Sequence, residues 1–150
     1  MTGAPQSWPL MLVMGACVML GACARNISSA SAPNLAAACA IGDSVFVRDV
    51  VYFGRNRPNG GTVAEAEWQG FLDQVVTPRF PAGLTVVHAT GQWKGHSGVV
   101  EQERSEMVTL LHSGDDAARR AVAEIAAEYK RRFEQEAVLR ERMTTCARFE

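Results

Sequence analysis

Residues 62–80, TVAEAEWQGFLDQVVTPRF, constrain the fold more than any other stretch. Trp68, Phe71, Leu72, Val75 and Val76 recur at helical spacing and make one apolar stripe. Thr62 and Glu65 stand three apart, as a capping box requires, so a helix is expected to open at Thr62. Pro78 has no N–H and disfavours the α region at Thr77, so the helix is expected to end there. A stripe that holds Trp and Phe needs a sheet or a second helix to lie on, and the flanking segments supply one.

Residues 44–53, SVFVRDVVYF, are rich in Val and aromatics and read as a first strand. Val45, Val47, Val51 and Phe53 share one face; Phe46, Val50 and Tyr52 share the other with Arg48. With both faces apolar, this strand belongs in the middle of a sheet. The Gly-, Asn- and Pro-rich segment 54–61 is a loop. After the helix, 84–93 reads as strand two, 94–98 as a hairpin turn and 99–112 as strand three. A second helix starts near Ser113–Asp116, with acids at its positive end and Lys130, Arg131 and Arg132 in its last turns. Its stripe is Ala118, Val122, Ile125, Ala126, Tyr129 and Phe133, and residues 137–143 read as strand four.

This β-α-β-β-α-β order is the ferredoxin-like arrangement of the α+β class. Right-handed crossovers put both helices on one face of a four-stranded antiparallel sheet of order 4-1-3-2. Cys39 precedes strand one and Cys146 follows strand four. In that sheet the two strands are antiparallel neighbours, so the start of one meets the end of the other and a Cys39–Cys146 bridge is expected.

Residues 8–24 are apolar without a charge, short for a membrane span and of the length of a signal-peptide core. Leu20-Gly21-Ala22-Cys23 resembles the bacterial lipoprotein signal, in which the Cys becomes the lipidated first residue. A simple cleaved signal and an uncleaved anchor are the alternatives, and the absence of Lys or Arg from the first seven residues departs from the usual signal. The expected organisation is a signal peptide over 1–22, lipidated Cys23 and an Ala/Ser-rich tether over 23–38, and one domain over 39–150. The expected location is the cell envelope, on the periplasmic side of a bacterial membrane, where a disulfide persists.

Fifteen basic and 16 acidic side chains leave a net charge of −1, which argues against a nucleic-acid partner. Loop 54–62 sits between a strand and a helix, where anions bind, and carries Arg55 and Arg57. Five residues separate Gly54 from Gly60 and no Lys follows, so it is not a P-loop; solvated arginines in a turn are expected. The histidines His88, His96 and His112 do not cluster, and no metal or other cofactor is expected. A turn centred on 95–98 puts His88 opposite Ser105, so that His88, Thr90 and Gln92 would face Glu101, Glu103 and Ser105 over the open sheet face. His88, Gln92, Arg104 and Arg55 are therefore the candidate ligand-binding residues, and no catalytic set is expected. Trp68 and Trp93 are expected in the core.

From Tyr52 to Arg140 the chain resembles a DUF3574-like family of exported bacterial proteins. The resemblance rests on Phe53-Gly54-Arg55, Gly60-Gly61, Glu65-Ala66-Glu67-Trp68, Thr77-Pro78-Arg79-Phe80-Pro81, Gly91-Gln92-Trp93, Glu103-Arg104-Ser105 and Tyr129-Lys130-Arg131-Arg132-Phe133. Ala64 stands where that pattern has a Ser, and Glu106 where it has a basic residue. The resemblance implies export and this fold, and brings no activity. The expectation is a lipid-anchored envelope domain that binds a protein or small ligand without catalysis. The alternative is a dimeric α/β-barrel enzyme enclosing its substrate beside His88, Gln92 or Arg104. A homodimer through the open sheet face is the expected assembly, since strand one turns apolar residues outward there.

If Cys23 is the lipidated N-terminus, metabolic labelling with a palmitate analogue marks the wild type and not Cys23→Ala. Equal labelling of both would refute the assignment.

Overall fold

The computed structural model describes residues 39–150. The signal, the tether and Cys23 lie outside the described residues. Four strands, β1 (Ser44–Gly54), β2 (Thr85–Lys94), β3 (Val100–His112) and β4 (Leu139–Ala147), form one antiparallel sheet of order β2-β3-β1-β4. Helix α1 (Glu65–Phe71) joins β1 to β2, and α2 (Asp116–Phe133) joins β3 to β4. This is the expected β-α-β-β-α-β order with β1 central.

The helix-facing side of β1 supplies Val51 and Phe53 to the core, with Val108 and Leu110 of β3 beside them. Trp68, Phe71 and Val76 come down from the first helical segment, and Val122, Ile125, Tyr129 and Phe133 from α2. Phe53 is the centre of an aromatic cluster, with its ring 5.5 Å from Trp68, 5.7 Å from Phe71 and 4.7 Å from Tyr129. The buried indole N–H of Trp68 has no hydrogen-bond partner among the described residues.

The first helix opens two residues later than its spacing suggests. Ala64 is the N-cap, and its backbone N–H donates to Glu67 Oε2 at 2.9 Å. Alanine has no oxygen to return, so only half of a capping box forms. Thr62 is instead bridged to Asn56 across the preceding loop, which removes it from the cap. The segment also does not stop at Thr77. It widens into a π-helical turn, Leu72–Val76, and then tightens into a 3₁₀ turn, Thr77–Arg79, with Thr77 still in the α region. Pro78 biases the backbone before it, and here the burial of Val76 and Phe80 outweighs that bias.

Strand β4 runs later than expected, to Ala147, because its last residues pair with Ser44–Val47 at the start of β1. That pairing brings Val45 opposite Cys146, and Cys39 is bridged to Cys146 with a Cα–Cα separation of 5.6 Å.

Both helices lie on one face, so the other face carries no element of the described chain. Val87, Leu139 and Met143 are exposed there, and Phe149 of the C-terminal tail rests edge-on against Phe46 at 6.4 Å, covering one end only. Trp93 is on this face as well, 47 % exposed, and not in the core.

The bridge spans 107 residues, and loss of its constraint on the unfolded chain costs about 2–5 kcal/mol. Cys39→Ser/Cys146→Ser is expected to unfold at correspondingly lower urea concentration. Unchanged stability, or alkylation of both thiols in the unreduced protein, would contradict the bridge.

Candidate functional site

Strand β1 ends at Gly54, whose carbonyl accepts from the Tyr129 hydroxyl at 2.8 Å. Burial pushes the Tyr129 phenol well above its ordinary range, so it stays a donor. The chain continues with the strand's alternation, so Arg55 follows Phe53 to the helix side. Its backbone N–H donates to Arg104 O at 2.9 Å and its carbonyl accepts from Val63 N at 2.7 Å. The guanidinium is therefore drawn beneath α1, where it is 4 % exposed. Nε donates to Val63 O at 2.9 Å, Nη1 to Glu106 Oε1 at 2.5 Å and Nη2 to Glu65 Oε2 at 3.3 Å. Arg55 is thus not the solvated loop arginine expected. Arg57 is closer to that picture, paired with Glu67 at 2.8 Å and lying over the Phe133 ring at 5.4 Å.

Glu106, 1 % exposed, receives Arg55 on one oxygen and His88 Nδ1, at 2.5 Å, on the other. With Nδ1–H turned to the carboxylate, His88 presents Nε2 to solvent, and its side chain is 68 % exposed. The hairpin pairs His88 with Glu106, Thr90 with Arg104 and Gln92 with Gln102. That is one residue away from the register expected, and a one-residue shift exchanges the faces of a strand. His88, Gln92 and Arg104 do share a side with Arg55, but it is the helix side. Glu101, Glu103 and Ser105 point to the open face. Arg104, Gln92, Thr90, Gln102 and Asn56, together with Gly91 and Glu103, line a shallow polar groove of about 490 Å³. Sequence reasoning missed Glu106. The alternation Glu106, Val108, Leu110, His112 was the available signal, since it places a Glu in the row of core residues.

The larger hollow, about 570 Å³, lies on the open face where β1 ends and β4 begins. A small-molecule site is of this size. Its floor is built from Tyr52, Gly54, Gly91 and Ser105. One wall is the hairpin end with Trp93; the other is the segment from Gln135 to Leu139. Two devices set that second wall. The C-cap of α2, Glu134, takes the left-handed conformation at φ 56°, which turns the chain sharply. Gln135 Nε2 then donates to Asn56 O at 2.6 Å. Glu136 accepts from the His96 ring at 2.9 Å and from the His96 backbone N–H, so the hairpin tip is tied to the opposite wall. Those bonds hold the Glu136 carboxyl below its usual range.

Glu103 rises from β3 into this cleft and lies over Gly54, where a Cβ would collide with its carboxylate. Burial pushes its carboxyl above the usual range; the Asn56 backbone N–H acts in the opposite sense and Glu101 adds to the rise. Neither Glu101 nor Glu103 has a cationic partner within ion-pair distance among the described residues.

A second buried ionic group lies at the other end of the helix side. Asp49 accepts two hydrogen bonds from Arg140, two from Arg142 and one from His112 Nε2 at 2.8 Å. His112 Nδ1 accepts from Gly114 N at 3.0 Å, which places the proton on Nε2 when the ring is neutral. This group ties edge strand β4 to the central strand. Among the described residues no three His, Cys, Asp or Glu side chains are placed to hold a metal ion.

A family model described as "protein of unknown function (DUF3574)" matches residues 48–149. No curated protein sequence matches the chain. Among solved structures, a phage SAM lyase in complex with S-methyl-5'-thioadenosine is 14 % identical, with a TM-score of 0.55 over 74 % of this chain and 93 % of that one. The same lyase in its apo state is 16 % identical, with a TM-score of 0.50 over 73 % and 92 %. CutA from Synechococcus elongatus is 8 % identical, with a TM-score of 0.41 over 70 % and 83 %. At these identities the lyase shares the fold and nothing more is implied.

Removing one partner of a buried ion pair strands the other, at a cost of about 3–5 kcal/mol, whereas replacing both with apolar groups is often near neutral. Glu106→Leu is therefore expected to lose roughly that stability in urea unfolding, and Arg55→Met/Glu106→Leu to regain most of it. A double variant as unstable as the sum of the two single ones would show that the pair is not the reason for the loss.

Proposed function

Because the chain belongs to the DUF3574 family, whose function is unknown, we infer its role from its sites: an exported, lipid-anchored envelope domain that binds a small ligand in the open-face cleft. The observation that carries this reading is the cleft itself, a hollow with an aromatic wall, a glycine floor and a half-buried carboxyl. The Leu20-to-Cys23 pattern supports the anchor, and the Cys39–Cys146 bridge is consistent with an oxidising compartment. Gly54 and Gly91 act together here: they lie on β1 and β2, the two strands that flank β3, and with no side chain at either position the floor drops and the neighbouring groups surround a space. The polar groove with Gln92 and Arg104 is the lesser candidate, because it is shallower, and His88 and Arg55 do not line it but are engaged by Glu106.

The reading includes a homodimer through the open face. Arg48 and Glu141 both belong to this face, one on β1 and one on β4. A two-fold related copy can set the Arg of one protomer against the Glu of the other while covering Val87, Leu139 and Met143. The phage lyase supports a second reading, a small-molecule enzyme, by fold analogy alone. In that case face-to-face packing would enclose Glu103, Tyr52 and Trp93; His88, Gln92 and Arg104 would be left outside.

Native mass spectrometry of the full chain, purified from membranes in mild detergent, tests the binding reading. A bound small-molecule mass is expected, and Gly91→Phe, whose Cβ meets only an ordinary contact with Ser105 and whose ring would enter the hollow, is expected to abolish it. No bound mass, or one that survives Gly91→Phe, would overturn the cleft as the site. Sedimentation of the same protein tests the dimer, and a monomer at tens of micromolar would remove it.

A further inference from the structure

The charges of the open-face cleft do not balance, and the imbalance has one sign. Arg57 lines the cleft, but its guanidinium is taken by Glu67 and by the Phe133 ring. Glu136 lines it too, and is bound to His96. What remains is Glu101 and Glu103, two carboxylates on one strand face with no cation of the described chain against them. Glu103 is the more exacting case. The fold places it over Gly54, partly shielded from water, with the Asn56 backbone N–H near enough to favour its charge but burial outweighing that. A glutamine could accept that N–H without the cost of desolvating a charge, so the carboxylate destabilises the empty domain. An ionisable group held at such a cost in a concave site is a mark of function.

Trp93 stands on the same face, paired across the strands with Glu101 and two positions along β2 from Gly91, the partner of Glu103; it is half exposed although large and apolar. Gly95 next to it carries no side chain, and a Cβ there would press on both Trp93 Nε1 and the Glu136 carboxylate, so the indole and the opposite wall are kept close. Tyr52 adds a second aromatic group on the floor. An indole face and a partly desolvated carboxylate are complementary to the same thing, a positively charged group with an apolar periphery.

We propose that the cleft takes an organic cation, a primary amine or quaternary ammonium compound, with Glu103 as its counter-ion and Trp93 as its aromatic wall. The proposal rests on the cleft being the ligand site and adds the sign of the ligand's charge. Glu101 sets the approach field and Glu103 makes the contact. The head group lies between Trp93 and the Gln135–Leu139 wall, over Gly54 and Gly91. Binding requires Glu103 ionised, so affinity falls as pH drops through the raised range of that carboxyl, earlier than for a solvent-exposed glutamate. The titratable and charged groups around it are Glu101 on β3, Tyr52 on β1, Arg57 in the loop after β1, Tyr129 on α2 and Glu136 before β4; Glu101 adds to the rise and the Asn56 N–H opposes it.

Calorimetry with the full chain in detergent compares three probes of similar size: choline, its neutral carbon isostere 3,3-dimethylbutan-1-ol, and benzoate. Choline is expected to bind at least tenfold more tightly than the isostere and benzoate not at all. Glu103→Gln is expected to erase the preference for choline over the isostere, and Trp93→Ala to weaken choline by a factor of ten or more while urea unfolding stays unchanged. Equal binding of choline and the isostere, or tighter binding of benzoate, lost in Gly91→Phe, would overturn the cation and leave the cleft as the ligand site. Choline binding that Glu103→Gln and Trp93→Ala both leave intact would overturn the assignment to these side chains. If no probe binds and no native ligand mass is found, the cleft reading fails and the cation with it.

Discussion

Glu106 can sit inside this protein only because Arg55 and His88 reach it from two other segments. A carboxylate with almost no exposure must be paired, and here each oxygen receives a separate donor at 2.5 Å. One donor comes from the loop after β1, the other from β2, and the acceptor from β3. The same guanidinium holds Val63 O and Glu65 at the entry to α1. A single buried charge thus joins the end of β1 and the middles of β2 and β3 to the first helix. It also explains why the loop 54–62 is ordered around backbone bonds to Arg104 O and Val63 N and does not open toward an anion.

The register that buries Glu106 also decides the other face. With His88 opposite Glu106, Gly91 lies opposite Glu103 and Trp93 opposite Glu101. Every second residue of the hairpin is thereby sent away from the helices. The helix side receives a polar row in which His88 is bonded to Glu106 and Gln92 and Arg104 line the shallow groove. The open side receives two carboxylates, an indole and two glycines. One residue of slip of β3 against its two neighbours would turn Glu101 and Glu103 to the helix side, and would also turn Glu106 to the open face and leave Arg55 buried without it. The ionic contact beneath α1 therefore protects the chemistry of the cleft above the sheet, although no atom is shared between them.

Much of the fold was legible because its signals are local. The stripes of Trp68–Phe71 and Val122–Phe133 repeat at helical period, and β1 alternates with apolar residues on both faces, which places it centrally. Cys39 and Cys146 flank strands that such a sheet makes neighbours, so their bridge followed from topology. The misreadings are also physical. Thr62 has the capping residue and spacing, but the bridge to Asn56 withdraws it. Pro78 biases the residue before it, but burial of Val76 and Phe80 outweighs the bias. Trp93 has the composition of a core residue, yet its parity turns it to the open face.

By itself the sequence determined the element order, the central strand, the shared helix face and the disulfide, because each depends on period, propensity or topology. It also determined which residue types were available for a site. Only the tertiary structure decided which of them meet. The hairpin register depends on the partner strands and on the Arg55–Glu106 contact, fifty-one residues apart in sequence, and no local pattern encodes it. The pairing of β3 with its two neighbours put His88, Gln92 and Arg104 on the helix side, and set Glu103 over Gly54 on the face that carries Trp93.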